Sequence, residues 1–116
     1  MWRVCIVVSV VVLTASAAQA EVNRGPYNTA VRCFAAAAYV RHLQTNVGNT
    51  AAADALEERA KQAWGVSFIL GKAIGISQDE VKRDLDATKD TQLPRFAQDT
   101  AYLKSSVAAC KAADLM

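Results

Sequence analysis

The sequence is poor in the residues that interrupt helices and in the patterns that form strands. Only five of its 116 residues are glycine and two are proline. The clusters of Val, Ile and Thr that favour strands occur only within the first twenty residues. The rest of the chain is therefore expected to be helical.

The chain also has few residues that could carry chemistry. Its single histidine, His42, follows Arg41 near the predicted end of a helix, where a cationic side chain is favourable without any function. No G-x-S-x-G or S-x-x-K motif marks a serine nucleophile, and no C-x-x-C-H motif marks a haem site. We expect no catalytic residue, no metal site and no cofactor, and we keep an enzyme only as an alternative.

One stretch is rich enough in acidic residues to suggest paired catalytic carboxylates. It contains Asp79, Glu80, Asp84, Asp86 and Asp90. Basic residues alternate with them, so that Arg83 follows the first by four positions and Lys82 precedes the fourth by four. This spacing brings opposite charges together on a helix surface, which predicts a solvated, self-neutralising face.

The first twenty residues have the pattern of a secretory signal peptide. Arg3 precedes an almost uncharged apolar stretch that ends in an A-x-A triplet at 18–20. An uncleaved anchor is the alternative, but about fifteen apolar residues fall short of the ~20 that a spanning helix needs. We predict that residues 1–20 are a signal peptide and that residues 21–116 form one domain with no stable membrane anchor.

Two cysteines, Cys33 and Cys110, would remain after export, since Cys5 lies in the leader. Thiols oxidise in exported compartments, and an even pair in a small domain predicts a disulfide. The leader and the alanine-rich body favour the bacterial periplasm, with the medium or eukaryotic secretion as alternatives. Loss of Arg3 lowers the formal charge from +2 to +1, which attracts neither nucleic acid nor an anionic membrane.

Start and stop signals predict four helices, over about 26–45, 50–74, 77–90 and 91–113. The prolines at 26 and 94 are placed in first helical turns, and Thr50 is the expected cap of the second helix. The third begins with the capping box Ser77-Gln78-Asp79-Glu80, flanked by a hydrophobic staple of Ile76 and Val81. It is expected to be short, because Asp90-Thr91 would break it.

A bond between Cys33 and Cys110 constrains how these helices are arranged. The first cysteine lies near the start of the first helix and the second near the end of the last, and these ends are neighbours in up-down-up-down order. With three helices they would lie roughly 20–25 Å apart, whereas a disulfide needs Cα atoms within about 7 Å. We predict an all-α antiparallel four-helix bundle with a short third helix and this cross-link.

The predicted second helix carries an apolar seam that runs into a fully apolar segment. The seam consists of Ala53, Leu56, Ala60, Ala63, Ser67, Leu70 and Ile74. Between residues 64 and 76 only Ser67 and Lys72 have polar side chains, so the segment is either buried on all sides or exposed for a partner. Gly65 and Gly71 cost about 1 kcal/mol each relative to alanine, which indicates that another backbone approaches closely or that the helix bends.

Trp64, Val66, Phe68 and Ile69 form the candidate functional surface. They either complete a thin core or contact a second copy or another protein. The overall plan resembles small periplasmic helical proteins, such as acid-stress chaperones and immunity proteins against periplasmic toxins, in size, leader, helix content and cysteine pair. We therefore predict an exported non-enzymatic protein that binds an unknown protein partner or itself. The alternative is a carrier of a small apolar ligand near Trp64 and Phe68.

Overall fold

The computed structural model contains four helices joined by short turns. It describes residues 24–116 with their side chains and residues 2–23 only as the beginning of the first helix, so the predicted signal peptide and its cleavage point lie outside the fully described residues. The helices are α1 (Trp2–Asn46), α2 (Thr50–Ala73), α3 (Gln78–Gln98) and α4 (Thr100–Ala112). Their packing confirms the predicted all-α bundle.

The first two helices run antiparallel, as residue contacts along their shared interface show. Tyr27, early in the described part of α1, approaches Gly71 near the end of α2. Further along α1, Phe34 meets Trp64 with ring centroids 5.4 Å apart. Contacts further along α1 are thus made with residues earlier in α2, so the chain reverses direction at the turn after Asn46.

The third helix returns parallel to α1. The Tyr27 hydroxyl reaches Asp84, and the ring of Tyr39 packs against Phe96 at a centroid distance of 5.7 Å. Both pairs are separated by 57 positions, and a constant offset means that the two helices point the same way. The up-down-up part of the predicted order is therefore confirmed.

The fourth helix turns back along α1 and completes the bundle. Cys33 and Cys110 form the predicted disulfide, with their Cα atoms 5.5 Å apart. Val40, further along α1, shares a groove with Leu103, which precedes Cys110 on α4. In the described part of the chain α1 contacts all three other helices, whereas α2 and α4 do not contact each other.

Two buried clusters hold the helices together. The disulfide cluster contains Ala30, Cys33, Ala35, Ala36, Ala63, Phe96, Cys110 and Leu115. The tyrosine cluster contains Tyr27, Val31, Val81 and Leu85. The helix α1 contributes small residues to the disulfide cluster, where alanine lets neighbouring helices approach its backbone, and it contributes Tyr27 and Val31 to the tyrosine cluster.

Both inter-helix turns before α3 use local polar chemistry. The side chain of Asn49 accepts a 3.2 Å hydrogen bond from the Ala52 amide, so Asn49 caps α2 and the predicted cap Thr50 is already helical. The Ser77 hydroxyl accepts from the Glu80 amide at 3.2 Å, which confirms the predicted cap of α3. Gly75, with a φ of +82°, provides the left-handed residue that ends α2.

Both predicted proline starts are wrong, because each proline lies inside a helix. The helix α1 begins at Trp2 and passes through Pro26, and α3 continues through Asp90-Thr91 and Pro94 to Gln98. A proline keeps a helical φ and removes one hydrogen bond of the helix. Burial of Phe96, two residues beyond Pro94, keeps this part of α3 packed against α1 and offsets that loss.

The break between the last two helices therefore falls at Asp99. This residue is extended, at φ −131° and ψ 93°, and its side chain accepts a 3.0 Å hydrogen bond from the Tyr102 amide. It ends α3 and caps α4 at once. The short helix is consequently the fourth, with 13 residues, and the third has 21.

Candidate functional site

The four residues of the candidate surface occupy different environments. The Trp64 ring packs edge-on against Phe34 and lies 5.3 Å from the Phe68 ring. Both rings are half-buried against the tyrosine cluster, while Val66 packs against the disulfide cluster. These three residues thus contribute to the core as well as to the surface.

Ile69 is different, because its side chain points away from both clusters. It is 69% exposed and lies near the C-terminal end of α2. A large aliphatic side chain gains about 1.5–3 kcal/mol when fully buried, so its exposure leaves apolar area available for a contact. The candidate functional surface, here named the aromatic surface, consists of Trp64, Val66, Phe68 and Ile69.

An open cleft of about 380 Å³ lies beside Ile69, where α2 turns into α3. Its lining residues are Phe68, Ile69, Lys72, Ile76, Ser77, Gln78 and Val81. The apolar floor comes from side chains that also support the tyrosine cluster. The cleft therefore extends the aromatic surface toward the start of α3.

The two glycines of the apolar segment have different surroundings. A Cβ added at Gly71 would lie 2.7 Å from Val81 Cγ2 and 3.3 Å from Tyr27 Cε2, so this glycine allows close packing. At Gly65 no atom lies within 4 Å of the position that an added Cβ would take. The predicted close approach is thus found at Gly71, where side chains rather than a backbone come near. No contact within the described residues accounts for Gly65.

The acidic stretch of α3 is only partly the solvated face that the sequence predicts. Asp84 is half-buried and its Oδ2 accepts a 2.6 Å hydrogen bond from the Tyr27 hydroxyl. Burial, followed by this hydrogen bond, raises the pKa of Tyr27 well above the usual range of a tyrosine. No local sequence pattern indicates this pair, since the two residues are 57 positions apart.

His42 lies on the exposed surface of α1 near its C-terminal end. Its Nε2 is 3.2 Å from the Asn46 amide nitrogen, one turn further along the same helix. Within residues 24–116 no group of three or more metal-ligating side chains comes together. The contact recorded for the histidine ring is thus a local one, with the side chain of Asn46 on its own helix.

A second surface feature, not singled out in the sequence, is a shallow groove of about 330 Å³ between α1 and α4. It is lined by Val40, Leu43, Leu103, Lys104, Val107, Ala108 and Lys111. The apolar spacing on α1 continues to Val47, which is 75% exposed in the turn. The groove itself could have been predicted from the helical spacing of Val40 and Leu43 on α1 and of Leu103 and Val107 on α4.

No protein-family model, curated protein or solved structure matches this chain. Within the described residues, no helix has the length and apolarity needed to cross a membrane. The disulfide is compatible with an oxidising compartment. The class defined by these observations is a disulfide-linked helical bundle.

Proposed function

We propose that this is an exported, non-enzymatic protein, periplasmic or extracellular, that acts by binding another protein through its aromatic surface. Residues 1–20 serve as the signal peptide in this proposal, and residues 21–116 form the mature domain. A buried disulfide supports the assignment, because such bonds persist in exported compartments.

The exposure of Ile69 is the observation that carries the binding proposal. Its neighbours Trp64 and Phe68 expose part of their rings, and tryptophan-centred apolar patches are common at the energetic centres of protein interfaces. Their half-buried position also makes the patch rigid, because the rings are held by Phe34 and the tyrosine cluster. A rigid apolar surface loses little side-chain entropy on binding.

Affinity capture tests this proposal with the disulfide-intact protein as bait and the exported fraction of its own cells as the source of partners. Ile69→Arg places a charge at the centre of the aromatic surface without disturbing the core. Val47→Arg is the matched control, since Val47 is similarly exposed but lies in the turn between α1 and α2. We expect a partner that the wild type and Val47→Arg retain and that Ile69→Arg loses. Equal retention by all three, or none at high protein concentration, contradicts the proposal.

The cleft beside Ile69 favours a second candidate function, the carriage of a small apolar ligand. Its volume of about 380 Å³ lies at the lower end of the range for small-molecule sites, but it is open rather than enclosed. A carrier should melt at a higher temperature in the presence of lipophilic compounds, by mass action. Phe68→Ala, which widens the cleft, should abolish that shift, whereas a protein-binding surface should show none.

A further inference from the structure

The outer face of α2 has a second seam, opposite the one packed in the core. It consists of Glu58, Gln62, Gly65, Ile69 and Lys72, at spacings of 4, 3, 4 and 3. All five residues are exposed. This outer seam has the residue spacing of a helix that packs lengthwise against another helix.

We propose that the outer seam of α2 packs antiparallel against the same seam of a second copy of this chain. The inference rests on the proposed function, because it names the partner that covers Ile69, the most exposed residue of the aromatic surface. With the two-fold axis at the level of position 67, Ile69 lies opposite Gly65 of the partner subunit. Gln62 then lies opposite Lys72 of the partner subunit. The four residues from Gln62 to Lys72, the central seam, thus pair with one another, as an isologous interface requires.

Gly65 and Ile69 are complementary in shape. Gly65 leaves open space above the helix, with nothing within 4 Å of the position a Cβ would take. Ile69, one turn later, projects into solvent with 69% of its surface exposed. Antiparallel pairing places each isoleucine above the glycine of the opposite helix, so the interface contains this contact twice. Apart from proline, glycine is the least favourable helix residue, and this contact accounts for its presence in an exposed position.

The charges along α2 favour the same orientation. Within the outer seam the acidic residue is Glu58, in the first half of α2, and the basic residue is Lys72, in the second half. Antiparallel pairing brings each Lys72 within one turn of Glu58 of the partner subunit, and parallel pairing would place like charges together. Glu58 now pairs with Lys61 at 3.4 Å, in a bridge whose side chains are both mostly exposed. Such a surface bridge exchanges partners at little cost.

The contact is short, which sets the expected strength of the dimer. Gln62 and Lys72 are ten residues apart, so the central seam extends about 15 Å along the helix. An interface of this size belongs to the weak, transient class. We therefore expect a dimer that dissociates on dilution and is weakened by salt.

Sedimentation velocity over about 10 µM to 1 mM tests the dimer with the disulfide-intact protein as cells process it. The wild type should shift from monomer to dimer across this series. Gly65→Leu should weaken the dimer about tenfold or more, because the new side chain occupies the space needed by the opposing Ile69. Its monomer should remain folded by circular dichroism, since the site is open and leucine favours helices. A Gly65→Leu dimer as strong as that of the wild type overturns the proposal.

A charge exchange identifies the orientation. Glu58→Lys and Lys72→Glu should each weaken the dimer, and the double variant should restore it. The two positions are about 21 Å apart within one helix, so restoration can come only from contacts between chains. Absence of restoration overturns the antiparallel pairing.

The outcome is also distinguishable from that of the binding proposal. A chain that stays monomeric at the highest concentration, but still captures another protein in an Ile69-dependent way, overturns the dimer and leaves the binding function in place. A monomer that captures nothing overturns both.

Discussion

Tyr27 and Asp84 join α1 to α3 through a hydrogen bond of 2.6 Å between the phenolic hydroxyl and a carboxylate oxygen. Tyr27 is almost fully buried, and its ring packs against α2 at Gly71, where the absence of a side chain makes room for it. One side chain thereby connects three helices at the end of the bundle where the proposed mature chain begins. The pair is consequently a sensitive probe of tertiary structure.

Replacing Tyr27 by phenylalanine should lower the free energy of unfolding by about 1–2 kcal/mol, because it leaves the Asp84 carboxylate without its buried donor. The ring contacts would remain. Urea unfolding followed by circular dichroism measures the loss. Tyr39→Phe, whose ring packs on Phe96, is the matched control and should cost less than Tyr27→Phe. Equal effects of the two substitutions would show that the Tyr27–Asp84 bond contributes nothing specific.

The same hydroxyl predicts a loss of stability in alkaline solution. Burial and the bond to Asp84 raise the pKa of Tyr27 in the folded chain above the value of about 10 for an unfolded tyrosine. Above pH ~10 the unfolded chain releases this proton while the folded chain retains it, so rising pH favours unfolding by up to about 1.4 kcal/mol per pH unit. The stabilisation of the folded chain by the protonated Tyr27 hydroxyl is fully present below pH ~10.

Comparison with Tyr27→Phe separates the effect of the Tyr27 hydroxyl on stability from the effects of other groups that titrate in alkaline solution. The stability difference between wild type and variant should be constant from pH 7 to about 9 and should shrink above pH ~10. Urea midpoints at half-unit intervals provide the test. Parallel profiles up to pH 11 would contradict the raised pKa.

The two glycines of α2 should respond oppositely to alanine. Gly65→Ala should stabilise the monomer by about 0.5–1 kcal/mol, because alanine has the higher helix propensity and the site is open. Gly71→Ala should destabilise by about 1–3 kcal/mol, since its Cβ would press on Val81 Cγ2 at 2.7 Å. Thermal unfolding at low concentration, where the monomer predominates, compares them. A stabilising Gly71→Ala would disprove the close packing.

The disulfide should contribute a large part of the stability of so small a domain. It closes a loop of 77 residues, which corresponds to about 4.5 kcal/mol in the chain-entropy model. Cys33→Ala with Cys110→Ala should therefore approach the unfolding threshold at 37 °C. Alanine suits both positions because both cysteines are fully buried.

Reduction of the wild type by a thiol in urea should lower its midpoint to that of the double variant. The double variant itself should not respond to the thiol, which controls for effects of the reagent. A loss below about 1 kcal/mol would mean that the bond contributes little to the stability of the fold.

The sequence predicted the topology because one long-range constraint was visible in it. The Cys33–Cys110 pair requires an even number of helices, and the structure has four in that order. The signals at Ser77 and Gly75 also located the turn between α2 and α3, since both act through their immediate neighbours. Local hydrogen bonds and backbone angles can be predicted from a few residues.

Other features depend on contacts that no local pattern contains. The charged neighbours of Asp84 in the sequence predict a solvated face, whereas its partner Tyr27 lies on another helix. The aromatic surface was identified as a set, but only the packing of α1 against α2 distinguishes exposed Ile69 from half-buried Trp64.

The division between α3 and α4 leads to the last prediction, since the sequence offers two aspartates as candidates. The sequence pattern predicts the break at Asp90-Thr91, whereas α3 continues through it to Gln98 and is capped by Asp99. Asp99→Ala should remove the cap bond to the Tyr102 amide and cost about 1 kcal/mol. Asp90→Ala should cost less than about 0.5 kcal/mol, because Asp90 is exposed within the helix and caps nothing. Hydrogen exchange of the first α4 amides should accelerate in Asp99→Ala alone. Equal loosening of α4 by Asp90→Ala would instead indicate a helix boundary at Asp90-Thr91.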